Sequence, residues 1–361
     1  MKVLTVVGNR PQFIKAAAVS RHLRERVEEV LVHTGQHYDR ELSQVFFEEL
    51  ELPPPDAELG VGSGTHAEQT AAALTGLERE IGERGPNGVL VYGDTNSTLA
   101  GALAAAKVGV PVAHVEAGMR SYDRAMPEEL NRILADHLSS LLLCSTETAV
   151  ENLRREGIGD GVRRVGDVMA DIAELFGPIA ERRSGVLERL GLKPSGYLVA
   201  TAHRAGNVDD PERLAALVEV LAAAAESAPV VFPVHPRTGE RLKAGGLLDG
   251  LEGRGIRAIE PLGYLDFTAL VRSARAVLTD SGGLQKEAYL AGVPCLTLRD
   301  ETEWVETVAS GWNRLVGLDP RAAAEALRTL DEAGREAPDI GLYGGGEAGR
   351  RVADALAEWL A

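Results

Sequence analysis

Twice along the chain, short apolar runs that end near Gly, Asp or His alternate with Ala-, Leu-, Glu- and Arg-rich stretches at helical period. A run of four or five aliphatic residues has no polar face, so a sheet built from such runs must be covered on both sides, and the helices between them provide the cover. The pattern predicts an α/β fold with parallel, doubly wound sheets. In the first half it predicts strands over Val3–Val7, Val30–His33, Val89–Tyr92, Pro111–Glu116 and Leu141–Cys144, with helices such as Gln12–Arg26 and Thr98–Lys107. In the second half it predicts strands over Tyr197–Ala200, Val230–Val234, Ile256–Ile259, Ala276–Thr279 and Cys295–Leu298, with helices such as Glu212–Glu226 and Leu284–Ala291. The charged helical stretch Asp171–Leu190 and the turn-rich Gly191–Gly196 put the boundary between the halves near Gly166–Ala170. Glu347–Ala361 reads as an amphipathic helix whose apolar face, Val352, Ala353, Leu356 and Leu360, fits either domain.

A chain of 361 residues favours two such domains. Its net charge of −16 opposes non-specific association with nucleic acid, so any phosphate it binds must be held locally. The first apolar run, about five residues, is too short for a secretory leader or a membrane span, which predicts a cytoplasmic enzyme with no membrane partner. Cys144 and Cys295 lie beside apolar runs without metal-ligand spacing, and are expected to be core residues.

In open parallel sheets ligands bind beyond the carboxyl ends of the strands. Thr279-Asp280-Ser281-Gly282-Gly283-Leu284-Gln285-Lys286-Glu287 is such an end: two glycines permit close approach of a ligand, and the helix beginning there offers free amides to a phosphate, although an ordinary Ser-capped turn has the same residues. Neither a P-loop nor a Gly-x-Gly-x-x-Gly follows a strand, so nucleoside triphosphate and dinucleotide motifs find no support. Asp94, Glu116 and Glu128 stand in strand-end loops of the first half. Asp94 and Glu128 fit helix-terminal positions, but a carboxylate such as Glu116 at the tail of an apolar strand is costly without a purpose. Grouped carboxylates can have their pKa values pushed apart, which suits one acid and one base. Arg10 and Lys15 after the first strand, the strand ends carrying His203-Arg204 and His235-Pro236-Arg237, and Arg299 supply the cations of an anion site.

Taken together, Gly8-Asn9-Arg10-Pro11-Gln12-Phe13-Ile14-Lys15, His33 to Asp39, Val91 to Thr98, His114-Val115-Glu116-Ala117-Gly118-Met119-Arg120, Pro127 to Arg132, Thr201 to Asn207, Asp280 to Glu287 and Arg299 to Trp304 closely resemble the non-hydrolysing UDP-N-acetylglucosamine 2-epimerases, in order and spacing, over nearly the whole chain. The resemblance implies two Rossmann-like domains in a glycosyltransferase-B-like arrangement with an interdomain active site, a homodimer, no metal and no nicotinamide. It also implies that the C-terminal helix crosses back, so that 1–168 with 345–361 form the first domain and 169–344 the second, UDP-binding one. By the same resemblance Asp94, Glu116 and Glu128 match the family's catalytic carboxylates and His203 its catalytic histidine near the diphosphate, Ser281, Gly282 and Gly283 hold the diphosphate, Glu287 holds the ribose, and Arg10 and Lys15 touch the substrate. The implied reaction takes the proton from C2 while UDP leaves C1, forms a 2-acetamidoglucal, and returns UDP with the proton on the other face.

Some positions depart from the family pattern. Gly206 stands where a Glu is usual, Trp304-Val305 where Arg-Pro is usual and Gly345 where an Asp is usual. The last two changes resemble the branch acting on UDP-2,3-diacetamido-2,3-dideoxy-glucuronate, whose carboxylate calls for a cation such as Arg120, Arg237 or Arg299. Ser63-Gly64-Thr65 replaces the Arg-Gln pair through which some bacterial members bind UDP-N-acetylglucosamine as an activator, which predicts no such activation. The retained catalytic carboxylates argue against a glycosyltransferase of the same fold and a silent UDP-sugar sensor, and the chain's length favours the non-hydrolysing form over a hydrolysing epimerase.

Overall fold

The computed structural model describes residues 1–35, 53–330 and 337–361, apart from the side chains of Arg10, Ile340 and Leu342. The chain divides into two compact units, Met1–Glu174 with Asp339–Ala361, and Leu175–Pro338. Residues 169–174 and 339–344, assigned by sequence to the second domain, thus group with the first. The reason is local: the Asp171 carboxylate accepts from the amides of Ala348 and Gly349 at 3.0 and 2.6 Å, and Gly344 lies against Gly166. The helix Val168–Arg183 runs across the division and ends before Ser184, short of the single stretch to Leu190 that the sequence suggested.

The first unit is built on a parallel sheet of β1 (Lys2–Val7), β2 (Glu28–His33), β3 (Ala57–Glu58), β4 (Gly88–Tyr92), β5 (Val112–Ala117), β6 (Leu141–Cys144) and β7 (Val162–Arg164), in the order β3-β2-β1-β4-β5-β6-β7. The second contains β8 (Leu198–Thr201), β9 (Val230–Pro233), β10 (Ile256–Ile259), β11 (Ala276–Thr279), β12 (Cys295–Thr297) and β13 (Asn313–Leu315), ordered β10-β9-β8-β11-β12-β13. Both orders reverse direction once, between β1 and β4 and between β8 and β11. At such a point successive crossovers leave on opposite faces and open a crevice at the strand carboxyl ends. The α/β expectation therefore holds, and it fixes where the chemistry of each unit can lie. The apolar runs are buried as expected, with Val6, Val91 and Ala104 in one core and Leu198, Leu217 and Leu278 in another. Cys144 and Cys295 are buried, and burial pushes both thiols up to about 12.

The amphipathic C-terminal helix, Ala348–Leu360, packs on helix Arg10–Leu23 within the first unit. A Cβ at Gly349 would stand 2.2 Å from the Ala18 carbonyl, so only glycine permits this approach. Among the described residues no helix is long and apolar enough to cross a membrane.

Candidate active site

At the β1/β4 crevice the turn after β1 is fixed by Gln12. Its Oε1 accepts from the Gly8 amide at 2.7 Å, and its Nε2 donates to the Tyr92 carbonyl at 2.7 Å and to Thr98 Oγ1 at 2.9 Å, joining the ends of β1 and β4. Asn9 caps helix Arg10–Leu23, in which Lys15 lies more than one turn along. Of the anion-binding candidates here, Arg10 has its side chain outside the described residues, as do Gln36 to Asp39 of the His33 motif.

Glu116 occupies an unusual backbone position. Its φ is +69°, a region costing a non-glycine residue about 1–3 kcal/mol. The register of β5 on β6 slips there: Val115 faces Leu143 and Ala117 faces Cys144, leaving Glu116 as the extra residue of a bulge. A bulge re-aims a side chain, and this one brings the Glu116 carboxylate to an ion pair with Lys15, the two side chains 10% and 14% exposed. The Gly93 backbone forms the adjoining wall. A Cβ at Gly93 would stand 3.2 Å from Lys15 Nζ and 3.3 Å from Glu116 Oε2, and φ there is +62°, so the wall must be glycine.

Asp94, next in sequence, is paired with Arg132, whose other arm donates to Glu129 at 2.9 Å. Glu128 and Glu129, neighbours in the first turn of helix Pro127–Leu138, have opposite environments. Glu128 is exposed, while Glu129 is 1% exposed and accepts from the amides of Ser121 and Tyr122, both at 2.9 Å. Burial pushes the Glu129 carboxyl up, but those amides and Arg132 outweigh it and hold it below the usual carboxylate range. Glu129 thus ties down the loop that follows Glu116. The sequence named Glu128 for chemistry and did not distinguish this second role, although an acid pair at the start of a helix points its two members to different faces.

In the second unit the loop after β8 hangs on Asp280. This fully buried carboxylate accepts from the amides of His203 at 3.1 Å and Arg204 at 3.0 Å, and from Asn207 Nδ2 at 3.3 Å. His203 is exposed, and its ring lies 5.8 Å from that of His235, the cap of helix Pro236–Ala244. Across the switch point, the Thr279 hydroxyl accepts from the Ser281 amide at 2.9 Å and meets that of Thr201 at 2.7 Å. Helix Gly282–Leu290 begins directly after Ser281, with Gly283 exposed, and Glu287 lies one turn beyond Gly283 on the same face. A Cβ at Gly282 would stand 2.8 Å from Glu303 Oε1. Glu303 also receives Arg299 at 2.8 Å and faces Arg204 at 3.5 Å. An anion here meets free helix amides and a cation pair already partly neutralised by one carboxylate.

Each of the three arginines offered as partners for a substrate carboxylate already pairs with a carboxylate of the chain. Arg120 donates to Asp136 at 2.7 Å and forms a two-armed bridge to Glu156 at 2.7 and 2.8 Å, its side chain 1% exposed. Arg237 pairs with Asp209, and Arg299 with Glu303. Of the departures from the family pattern, Gly206 is an open position, where a Cβ meets nothing within 4 Å; Gly345 is equally open but at φ +61°, which favours glycine, and Trp304 is buried.

Residues 21–357 match the family model described as UDP-N-acetylglucosamine 2-epimerase. The chain belongs to this family. Among the relatives of this epimerase-family chain is the UDP-2,3-diacetamido-2,3-dideoxy-D-glucuronate 2-epimerase of Pseudomonas aeruginosa, 47% identical over 99% of this chain and 100% of that one. A UDP-N-acetylglucosamine 2-epimerase homolog of Methanococcus maripaludis is also 47% identical, over 92% of this chain and 93% of its own. The crystal structure of the Methanocaldococcus jannaschii UDP-GlcNAc 2-epimerase in complex with UDP-GlcNAc and UDP superposes with a TM-score of 0.92 at 43% identity, covering 99% of this chain and all of that one. The family resemblance drawn from the motifs is thereby established across both units.

Proposed function

We propose that this chain is a non-hydrolysing 2-epimerase of a UDP-2-acetamido sugar, interconverting UDP-N-acetylglucosamine and UDP-N-acetylmannosamine. The observation that carries the reading is Glu116: a strained, bulged carboxylate paired with Lys15 on a glycine wall next to Asp94, in a member of this family. A carboxylate takes the C2 proton, the C2–H electron pair forms the C1–C2 double bond, and the C1–O pair departs with UDP. The reverse addition then places a proton on the opposite face of C2. No electrons are gained or lost overall, so the chemistry calls for no redox cofactor.

In this reading Asp94, Glu116, Glu128 and His203 form the catalytic set, the carboxylates around C2 and His203 near the diphosphate, and Arg10 and Lys15 contact the sugar nucleotide. Ser281, Gly282, Gly283, His235 and Arg299 hold the diphosphate, and Glu287 holds the ribose. Hydrogen bonds to the leaving diphosphate lower the elimination barrier, and retention of UDP keeps it available for re-addition. Such an enzyme works as a homodimer in the cytoplasm. The exposed Leu130 and Leu134, one turn apart on helix Pro127–Leu138, are apolar surface that a second copy would cover, which light scattering at rising protein concentration tests.

The Pseudomonas relative favours a second substrate, the UDP-diacetamido uronate. The buried pairing of Arg120 with Asp136, and the use of Arg299 at the diphosphate, weigh against these two as the cation for its C5 carboxylate and leave Arg237, half-exposed in its pair with Asp209. Incubation in D₂O with each UDP-sugar, followed by proton NMR at C1 and C2, decides: deuterium at C2 with formation of the C2 epimer is expected, and the faster substrate is the physiological class. UDP release only in the presence of an acceptor would overturn the epimerase reading in favour of a glycosyltransferase.

A further inference from the structure

We infer that Asp136 is a positioning residue of this reaction: acting through His114 and the Gly118 amide, it fixes the backbone of the Asp94 loop relative to that of Glu116. The inference rests on the proposed epimerase reading for its kinetic part only. Asp136 lies on helix Pro127–Leu138, and both it and His114 on β5 are essentially excluded from solvent. One oxygen of its carboxylate lies 2.7 Å from His114 Nδ1. The far nitrogen of that ring, Nε2, lies 2.7 Å from the Gly93 carbonyl, an oxygen that can only accept, so the ring donates there. Gly93 is the wall against which Lys15 and Glu116 meet, and the residue before Asp94. The other oxygen of Asp136 accepts from the Gly118 amide at 3.0 Å and from Arg120 at 2.7 Å, immediately beyond Glu116.

A single buried carboxylate therefore reaches both strand ends that carry proton-transfer candidates. Two features indicate that the link holds a geometry rather than merely filling the core. Burying a carboxylate costs several kcal/mol unless it is fully hydrogen-bonded, and an apolar residue of similar size would stabilise the site as well or better. The backbone it holds is also strained at Glu116, a non-glycine residue at φ +69°, and such backbone persists only where its surroundings determine it. Burial alone would push the Asp136 carboxyl up, yet His114 and Arg120 hold it below its ordinary range.

The test uses Asp136→Asn, which keeps shape and loses charge and one acceptor, and His114→Gln, alone and combined, with melting temperatures to establish folding. The expected result is a folded Asp136→Asn protein whose kcat falls about 10- to 100-fold, the penalty of a misplacement of order 1 Å, with KM and UDP affinity within about two-fold. The double variant should lose no more than the worse single one, because both act through one link. In parallel, the Glu116 carboxyl carbon is observed by NMR in 13C-glutamate-labelled protein, assigned by its loss in Glu116→Gln. This signal is expected to shift in Asp136→Asn. Unchanged kcat in the folded variant, additive losses, or an unmoved Glu116 signal would overturn the inference. Should the wild type fail to exchange C2 hydrogen in either UDP-sugar, the epimerase reading falls, and the Glu116 signal alone still decides the positioning role. Should Asp136→Asn not fold, His114→Gln is read by the same kinetic and NMR criteria.

Discussion

The two switch points are built in opposite ways. In the first unit the candidates are side chains in charged pairs, Glu116 with Lys15 and Asp94 with Arg132, set on strained backbone and braced from behind by Asp136 and Glu129. In the second, among the described site residues, the fully buried carboxylate of Asp280 is spent on two main-chain amides and Asn207, and what faces outward is His203 with a glycine turn and a helix start. Proton transfer needs a particular atom at a particular place, whereas a diphosphate is satisfied by several converging amides. Where side-chain geometry is the requirement, the fold invests in bracing; where backbone donors suffice, it invests in loop shape.

That contrast can be broken most directly at Glu116. Glu116→Gln should lower kcat at least 10²- to 10⁴-fold, the usual worth of a general acid or base, while calorimetric UDP affinity stays nearly unchanged. A comparable loss of UDP affinity would mean that the two regions do not divide the work. Asp280→Asn should do the reverse, raising the UDP dissociation constant about 10-fold or more and lowering the melting temperature, because an acceptor shared by three donors is weakened. Gly282→Ala sharpens the same point more gently. Its methyl must displace the Glu303 carboxylate, so UDP binding weakens several-fold with little change in the rate at saturating substrate.

Glu129 tests the bracing. Its carboxyl is held below the usual range in the folded protein, so its stabilisation is full above the unfolded-state value of ~4.3 and declines as pH falls through the folded one. Glu129→Gln should therefore melt lower than wild type at pH 7, with the gap narrowing below about pH 4. The smallest expected effect concerns regulation. Thr65 is used as the cap of helix His66–Arg84, in a reciprocal bond with Glu68, and rate against UDP-N-acetylglucosamine should be hyperbolic, with no rise in the reverse direction on adding a trace of it. A sigmoid would show an activator site that the sequence substitution had not removed.

Much of this architecture was legible because uninterrupted apolar runs of four or five residues announce themselves. Val89–Tyr92 and Ala276–Thr279 were readable to within a residue, and with them the strand ends where ligands bind. The short outer strands β3, β7 and β13 were not, since two or three residues with charges such as Glu58, Arg163 and Arg314 join a sheet through backbone pairing alone. Glu116 stood out as an anomalous carboxylate, but its bulge depends on register with β6, which no local pattern reveals. Asp136 was invisible for a related reason. On the helix it looks like any polar position, and only the fold brings His114 to it.

The close contact between the first and last helices has a consequence for how the molecule is made. Residues 10–23 leave the ribosome early, yet the surface that covers them, 348–360, is translated after the whole second unit, roughly 15–70 s later at ~5–20 residues per second. The second unit is continuous in sequence and can be completed during synthesis. The first must wait with one helix face bare, and is the part of the nascent chain on which a chaperone would dwell.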